Sequence, residues 1–282
     1  MQDESDFDII DAVGVGTYAY LRDRWGLKFY APLFVLAIGG AFEAWANGSG
    51  ILLTCAAVWS FGVIALANAR VRKEFMRQFA AANQFVYQGS GNVAELSGAL
   101  FQRGHSRSAN DMVVGQRDGR PLRFFFYRYK VGSGRSEQTY SYTVCEIALP
   151  GAGPDVVVES RRDFDFSNYA REGGREVPTE SPFREHFRLT APKDFEIEVL
   201  EIFTPEVMAW LMDRAEKYNF EFIRGRLYIF QKGHMSRREQ LKELLGIAEY
   251  LVTVIAPRIL RIQDDVAALH QAFGRTPTGE AA

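Results

Sequence analysis

Polar and apolar positions divide this chain sharply. Between Lys28 and Arg70 the one charged residue is Glu43, and the rest is apolar or small apart from the break Asn47-Gly48-Ser49-Gly50. The break separates two apolar runs, residues 29–46 and 51–69. At about 1.5 Å per residue, each run as a helix is roughly 27 Å long, close to the roughly 30 Å hydrocarbon core of a bilayer. Neither run carries the polar stripe of a long helix in a soluble protein. The pattern predicts a two-helix transmembrane hairpin; the alternative is a hairpin buried in a soluble fold.

The flanks set an orientation. Arg22, Arg24 and Lys28 precede the first run, Arg70, Arg72, Lys73 and Arg77 follow the second, and the turn holds neither Lys nor Arg. Lys and Arg collect on the cytoplasmic side, so the expectation is a multi-pass protein of the cell (inner) membrane with both termini cytoplasmic. Trp25, Tyr30 and Trp45 fall where amphipathic rings prefer the interface. Gly39, Gly40, Ala44, Ala56, Ala57 and Ser60 would permit close helix approach, or are ordinary membrane-helix composition. Glu43 lies near the end of its run, within reach of headgroups; the rival reading is a functional intramembrane carboxylate.

Beyond the second run, Val71, Phe75 and Phe79 recur every four residues, which predicts a helical stalk over 70–83. Strands are expected at 84–88, 111–117, 122–131, 139–149 and 155–159, forming an antiparallel meander. A short helix is expected at 93–101 and a polar loop at 104–110. Asp118-Gly119 is a turn signal. Residues 167–182 read as a long loop, and 183–189 and 195–203 as strands. Thr204-Pro205-Glu206 opens a helix running to about residue 218. Arg224-Gly225-Arg226 joins strands at 220–223 and 227–230. Ser236-Arg237-Arg238-Glu239 is a capping box that opens the last helix. The fold class is therefore α+β: the transmembrane hairpin, then a mainly antiparallel-sheet domain with two C-terminal helices. The expected partition is an acidic tail and basic flank (1–28), hairpin (29–69), stalk (70–83), cytoplasmic domain (84–262), and helix end with disordered tail (263–282).

Composition narrows the chemistry. The chain has 282 residues and a net charge of −2, so it lacks a global nucleic-acid signature. Its two cysteines, Cys55 and Cys145, lie in different segments and form no disulfide framework. The acidic N-terminus is unlike the positive region of a cleaved signal peptide, so the hairpin is expected to be retained. The four histidines (His105, His186, His234, His270) are scattered, and no P-loop or G-x-S-x-G occurs. Asp163-Phe164-Asp165 has a spacing able to hold a cation but reads better as a solvated strand edge. Cys145 beside Glu146 should have a raised thiol pKa, as a core residue would. No catalytic, cofactor or metal residue is assigned.

Charge is unevenly placed. Residues 102–135 are basic and 194–221 acidic. Either the two regions pair across the sheet, or the basic one faces a membrane or anionic ligand through Arg103, Arg107, Arg123 and Arg128, joined by Arg70, Arg72 and Lys73 after the second run. Tyr127 and Tyr129 beside Arg128 suit core packing better than nucleic acid. The last helix repeats apolar residues at a 4-3 spacing that includes Ile255, Ile259, Ile262, Val266 and Leu269. This seam serves either a homodimer or the helix's own domain, and Pro257 should kink or break it near Thr253.

The stretches Leu100-Phe101-Gln102-Arg103-Gly104-His105-Ser106-Arg107, Asn110-Asp111-Met112-Val113-Val114-Gly115 and Gly119-Arg120-Pro121-Leu122-Arg123-Phe124-Phe125-Phe126-Tyr127-Arg128-Tyr129 resemble bacterial membrane-anchored proteins of unknown function. Those carry one or two spans and a cytoplasmic α+β domain. The resemblance covers roughly residues 80–230 and implies a membrane location without an activity. The function read from the sequence is a membrane-tethered, non-catalytic binding or scaffold module for a protein, anionic lipid or small anion. A membrane-bound enzyme with a site of scattered Asp, Arg and His is the alternative.

Overall fold

A computed structural model describes residues 26–47, 51–151, 153–163, 174–235 and 237–273. The chain is α+β, a large antiparallel sheet with helices. In chain order the helices are α1 (Gly26–Asn47), α2 (Ile51–Ala82), α3 (Ala99–Gln102), α4 (Ser181–His186), α5 (Glu196–Ile202), α6 (Pro205–Arg214) and α7 (Arg238–Phe273). The strands are β1 (Val86–Gly91), β2 (His105–Arg117), β3 (Arg120–Val131), β4 (Gln138–Ala148), β5 (Val156–Ser160), β6 (Gly174–Glu176), β7 (Phe187–Pro192), β8 (Asn219–Ile223) and β9 (Arg226–Lys232).

α1 and α2 touch where side chains are smallest. A Cβ on Gly40 would lie 2.8 Å from the Leu53 backbone nitrogen, so glycine is what permits this approach. Glu43 is spent locally: its Oε2 accepts the Leu52 N–H at 3.0 Å, satisfying one of the free donors at the start of α2. α2 is long and apolar enough to cross a membrane, whereas the apolar part of α1, Tyr30–Glu43, is shorter.

α2 does not end where its apolar run ends. It continues unbroken over 32 residues, and its last turns carry Phe75, Met76, Phe79 and Ala80 into the core on the sheet. Phe79 meets Phe124 edge-on at 5.5 Å and Phe85 at 6.0 Å. The helical stalk expected at 70–83 is the continuation of α2, and its far end packs as a core helix of the domain.

The sheet runs β1-β2-β3-β4-β9-β8-β5-β7-β6. β1 to β4 form the expected meander, but the next strand in sequence does not extend it. β9 lies against β4, and β5 pairs with β8 on one side and β7 on the other. The β8–β9 hairpin turns on Arg224 and Gly225, with φ of 50° and 70°. Two successive left-handed residues make the tight turn whose twist suits paired strands. One sheet face is covered by α2, α4, α5, α6 and α7, with Phe124, Phe126, Ile229 and Phe220 beneath them. The other face, rich in tyrosine, packs against the segment Val93–Glu95 and α3.

Several local expectations are overturned. All of the expected loop 104–110 except Gly104 belongs to β2; it reads as loop because that end of the strand is exposed. Residues 183–189 divide between α4 and β7, and the strand expected at 195–203 is instead α5, Glu196–Ile202, flanked by Phe195 and Phe203. α7 passes Pro257 as one helix. Its packing explains how: Leu251, Ile255, Ile259 and Ile262 on both sides of the proline are buried in the core, which outweighs one missing backbone bond.

Candidate functional site

The exposed charge that the fold gathers lies where α2 meets the sheet. Asp111 sits in β2 with a φ of 51°, beside an irregularity in the β2–β3 register. Such a bulge re-aims a side chain, and here the carboxylate meets α2. Asp111 accepts the Arg72 Nε–H at 3.1 Å and the Tyr87 hydroxyl at 2.7 Å. Arg72 also lies 5.3 Å from the centre of the Phe126 ring, and Arg77 the same distance from Tyr87. Burial, then the bond to Asp111, pushes the Tyr87 hydroxyl well above its ordinary pKa.

Phe126 in turn meets His234 edge-on at 4.8 Å. Partial burial and the nearby charges of Arg72 and Arg128 hold the His234 imidazolium below its ordinary value, with Asp111 acting in the opposite sense. Arg70, Lys73, Arg77 and Arg128 are exposed. The result is a basic collar drawn from α2, β3 and the segment after β9.

Of the seven basic residues singled out from the sequence, Arg72 and Arg128 come together, both acting on His234, and Arg70 and Lys73 are exposed on the same stretch of α2. The other three lie elsewhere. Arg123 donates to both oxygens of Glu146, at 2.7 and 2.8 Å, on the opposite sheet face, and Arg107 donates to the Phe101 carbonyl at 2.7 Å. Arg103, half-buried after α3, acts on Tyr129 and Glu159 there. The sequence placed Arg77 in the basic flank and His234 among the scattered histidines, but assigned neither to a site. The only signal for His234 was its place just after a strand of the central hairpin.

The expected pairing of region 102–135 with 194–221 is not what the ion pairs show. Arg117 bonds Glu249 at 2.7 Å and Lys130 bonds Glu137 at 2.6 Å. On the acidic side, Glu216 takes His186 at 2.8 Å, together with Arg162.

The tyrosine-rich face holds the buried titratable groups. Across β3, β4, β9 and β8 the register places Arg123 opposite Glu146, Glu146 opposite Tyr228, and Tyr228 opposite Glu221. Arg226 completes the pairing of Glu146. Glu221 Oε1 accepts the Ala99 N–H at 2.5 Å, and the Tyr228 hydroxyl accepts the Ser97 N–H at 3.4 Å. Phe101 fills the space between Tyr127 and Tyr228, at 4.9 and 5.0 Å. These contacts fasten residues 93–102 to the sheet. Burial lifts both Glu159 and Glu221 to a pKa of about 7. Glu159 lies opposite Arg188 in the sheet, with its carboxylate 3.8 Å from the guanidinium.

Other candidates resolve simply. Burial and then Glu146 push the Cys145 thiol well up, and it is a core residue. Asp163 accepts the Asn219 amide at 3.1 Å, and Asp165 lies outside the described residues. No group of three or more His, Cys, Asp or Glu side chains converges as a metal site among the described residues. Two grooves, of about 330 Å3 beside Ser97 and Arg226 and about 480 Å3 beside Phe85 and Gly115, are open to solvent.

The self-association seam is also corrected. Ile255, Ile259 and Ile262 are buried in their own domain, so they have no free face for a second copy. Val266 and Leu269 lie in α7, but their side chains fall outside the described residues.

No family model matches this chain, and no curated protein does. Among solved structures the fold is similar to the crystal structure of the mycobacterial trehalose monomycolate transport factor A, TtfA. The TM-score is 0.50 at 9% identity, and the match covers 64% of this chain and 93% of that one. At that identity the likeness is one of fold.

Proposed function

We propose that the chain is a membrane-tethered, non-catalytic binding module. α1 and α2 cross the cell membrane with both termini cytoplasmic, and the collar faces anionic headgroups. The observation that carries this reading is the continuity of α2. One helix is apolar over its first half and core-forming over its last turns. From Ala69 to Phe75 it rises only about 9 Å, so the domain is held at a fixed height just above the span. Arg70, Lys73, Arg77 and Arg128 then sit at headgroup level, where each basic residue contributes about 1 kcal/mol.

The enzyme reading has less behind it. Glu146 and Glu221 are buried in the sheet and bonded to Arg123 and the Ala99 N–H, Glu159 is buried beside Arg188, and the grooves beside Ser97 and Phe85 are open.

The test is a histidine titration of the full-length protein in nanodiscs. A surface potential of about −30 mV concentrates protons and raises a headgroup-level pKa by about 0.5. His234 should titrate about half a pH unit higher in anionic than in neutral discs, and salt should erase the difference. Equal values in both discs would remove the lipid-facing collar.

A further inference from the structure

α5 is apolar on both sides. Val199 and Ile202 face inward and are buried, as a helix on a sheet requires. Ile197 and Leu200, three residues apart and so neighbours on one face, point outward and are 73% and 40% exposed. Phe195, just before the helix, is 41% exposed. Among the described residues nothing covers this second apolar face.

The rim of the patch is as unusual as its centre. Asp194, Glu196, Glu198 and Glu201 surround it, and among the described residues none of these four makes an ion pair. Elsewhere Glu137, Glu146, Glu216 and Glu249 all take basic partners. Lys193 is exposed beside Asp194 and Arg258 donates to the Ile202 carbonyl at the end of α5, so the rim is net acidic by four carboxylates to two bases, which is complementary to a segment with the reverse charge.

We propose that the outer face of α5 docks a Lys/Arg-rich, apolar-anchored cytoplasmic segment of a neighbouring membrane protein. The charge follows from the acidic rim. The source rests on the tether proposed above: cytoplasmic loops beside spans are where Lys and Arg accumulate, and a tethered domain meets them at high effective concentration. The patch lies on α5, away from the collar, so lipid and protein contacts use different surfaces.

The experiment places a photo-crosslinking residue at Ile197 of the full-length protein in its own cells, with Asp118, exposed on the β2–β3 turn, as the control position. Adducts mapped to the peptide should fall on a net-positive cytoplasmic segment of another membrane protein. Asp194→Lys with Glu201→Lys should cut their yield about tenfold, because paired attraction becomes repulsion at exposed sites that do not support the fold. Adducts no stronger than at Asp118, adducts to a second copy or to lipid, or yields indifferent to the charge reversal would each overturn the proposal while leaving the tether standing. Adducts confined to a basic segment of a soluble protein would overturn the membrane-protein source and likewise leave the tether standing.

Discussion

Replacing Glu221 with Gln should stabilise the protein at neutral pH, and the size of the effect follows from the site. Glu221 is 1% exposed at the centre of the sheet, and burial raises its pKa from 4.5 to about 7. A raised carboxyl pKa means that the folded state binds the proton more tightly than the unfolded chain. That contribution is fully present below about pH 4.5 and is lost as pH rises through about 7. A difference of roughly 2.5 pH units at 1.36 kcal/mol each gives about 3 kcal/mol. Gln keeps an oxygen to accept the Ala99 N–H, which Glu221 takes at 2.5 Å, and it carries no charge to desolvate. The variant should therefore match the parent near pH 4 and exceed it by about 3 kcal/mol at pH 8. Urea unfolding in detergent can be read from Trp210, whose ring stacks on Tyr250 at 3.7 Å. A parent whose stability is flat from pH 4.5 to 8, or a Gln variant weaker than the parent at pH 8, would refute the assignment.

Other outcomes follow from packing. Phe79→Ala should cost about 3–5 kcal/mol, because a fully buried ring between Phe85 and Phe124 is lost; the urea midpoint reports it, and a change under about 1 kcal/mol would mean the end of α2 is not core. Gly40→Val should push α1 from α2, since even a Cβ would sit 2.8 Å from Leu53; a cysteine pair across the contact in a background lacking Cys55 and Cys145 should then crosslink far more slowly.

What the sequence disclosed tracks how local each signal was. The Arg224-Gly225 turn, the Thr204-Pro205 helix start and the strands β3 and β4 are set by neighbours along the chain, and all appear. α5 was mistaken for a strand because Phe195, Ile197 and Val199 alternate. A helix that is apolar on two faces produces the same record, and only tertiary packing separates the two. The collar was half legible. Arg70, Arg72 and Lys73 stood out as a flank, but Arg128 joins them only through a meeting of α2 with β3, and His234 only through β9. Arg123 looked like a free cation because Glu146 lies 23 residues away. Glu221 is held by backbone 122 residues away, which no window of sequence contains.

The central claim is that one helix passes without a joint from the bilayer into the core of the domain. Spin labels placed singly along residues 60–82 of the cysteine-free, reconstituted protein test it directly. The account predicts a continuous helical period in accessibility, a crossing from lipid to water near residues 69–73, and restricted motion throughout. Fast, isotropic motion confined to residues 70–74, or water access at every position from 60 onward, would contradict it.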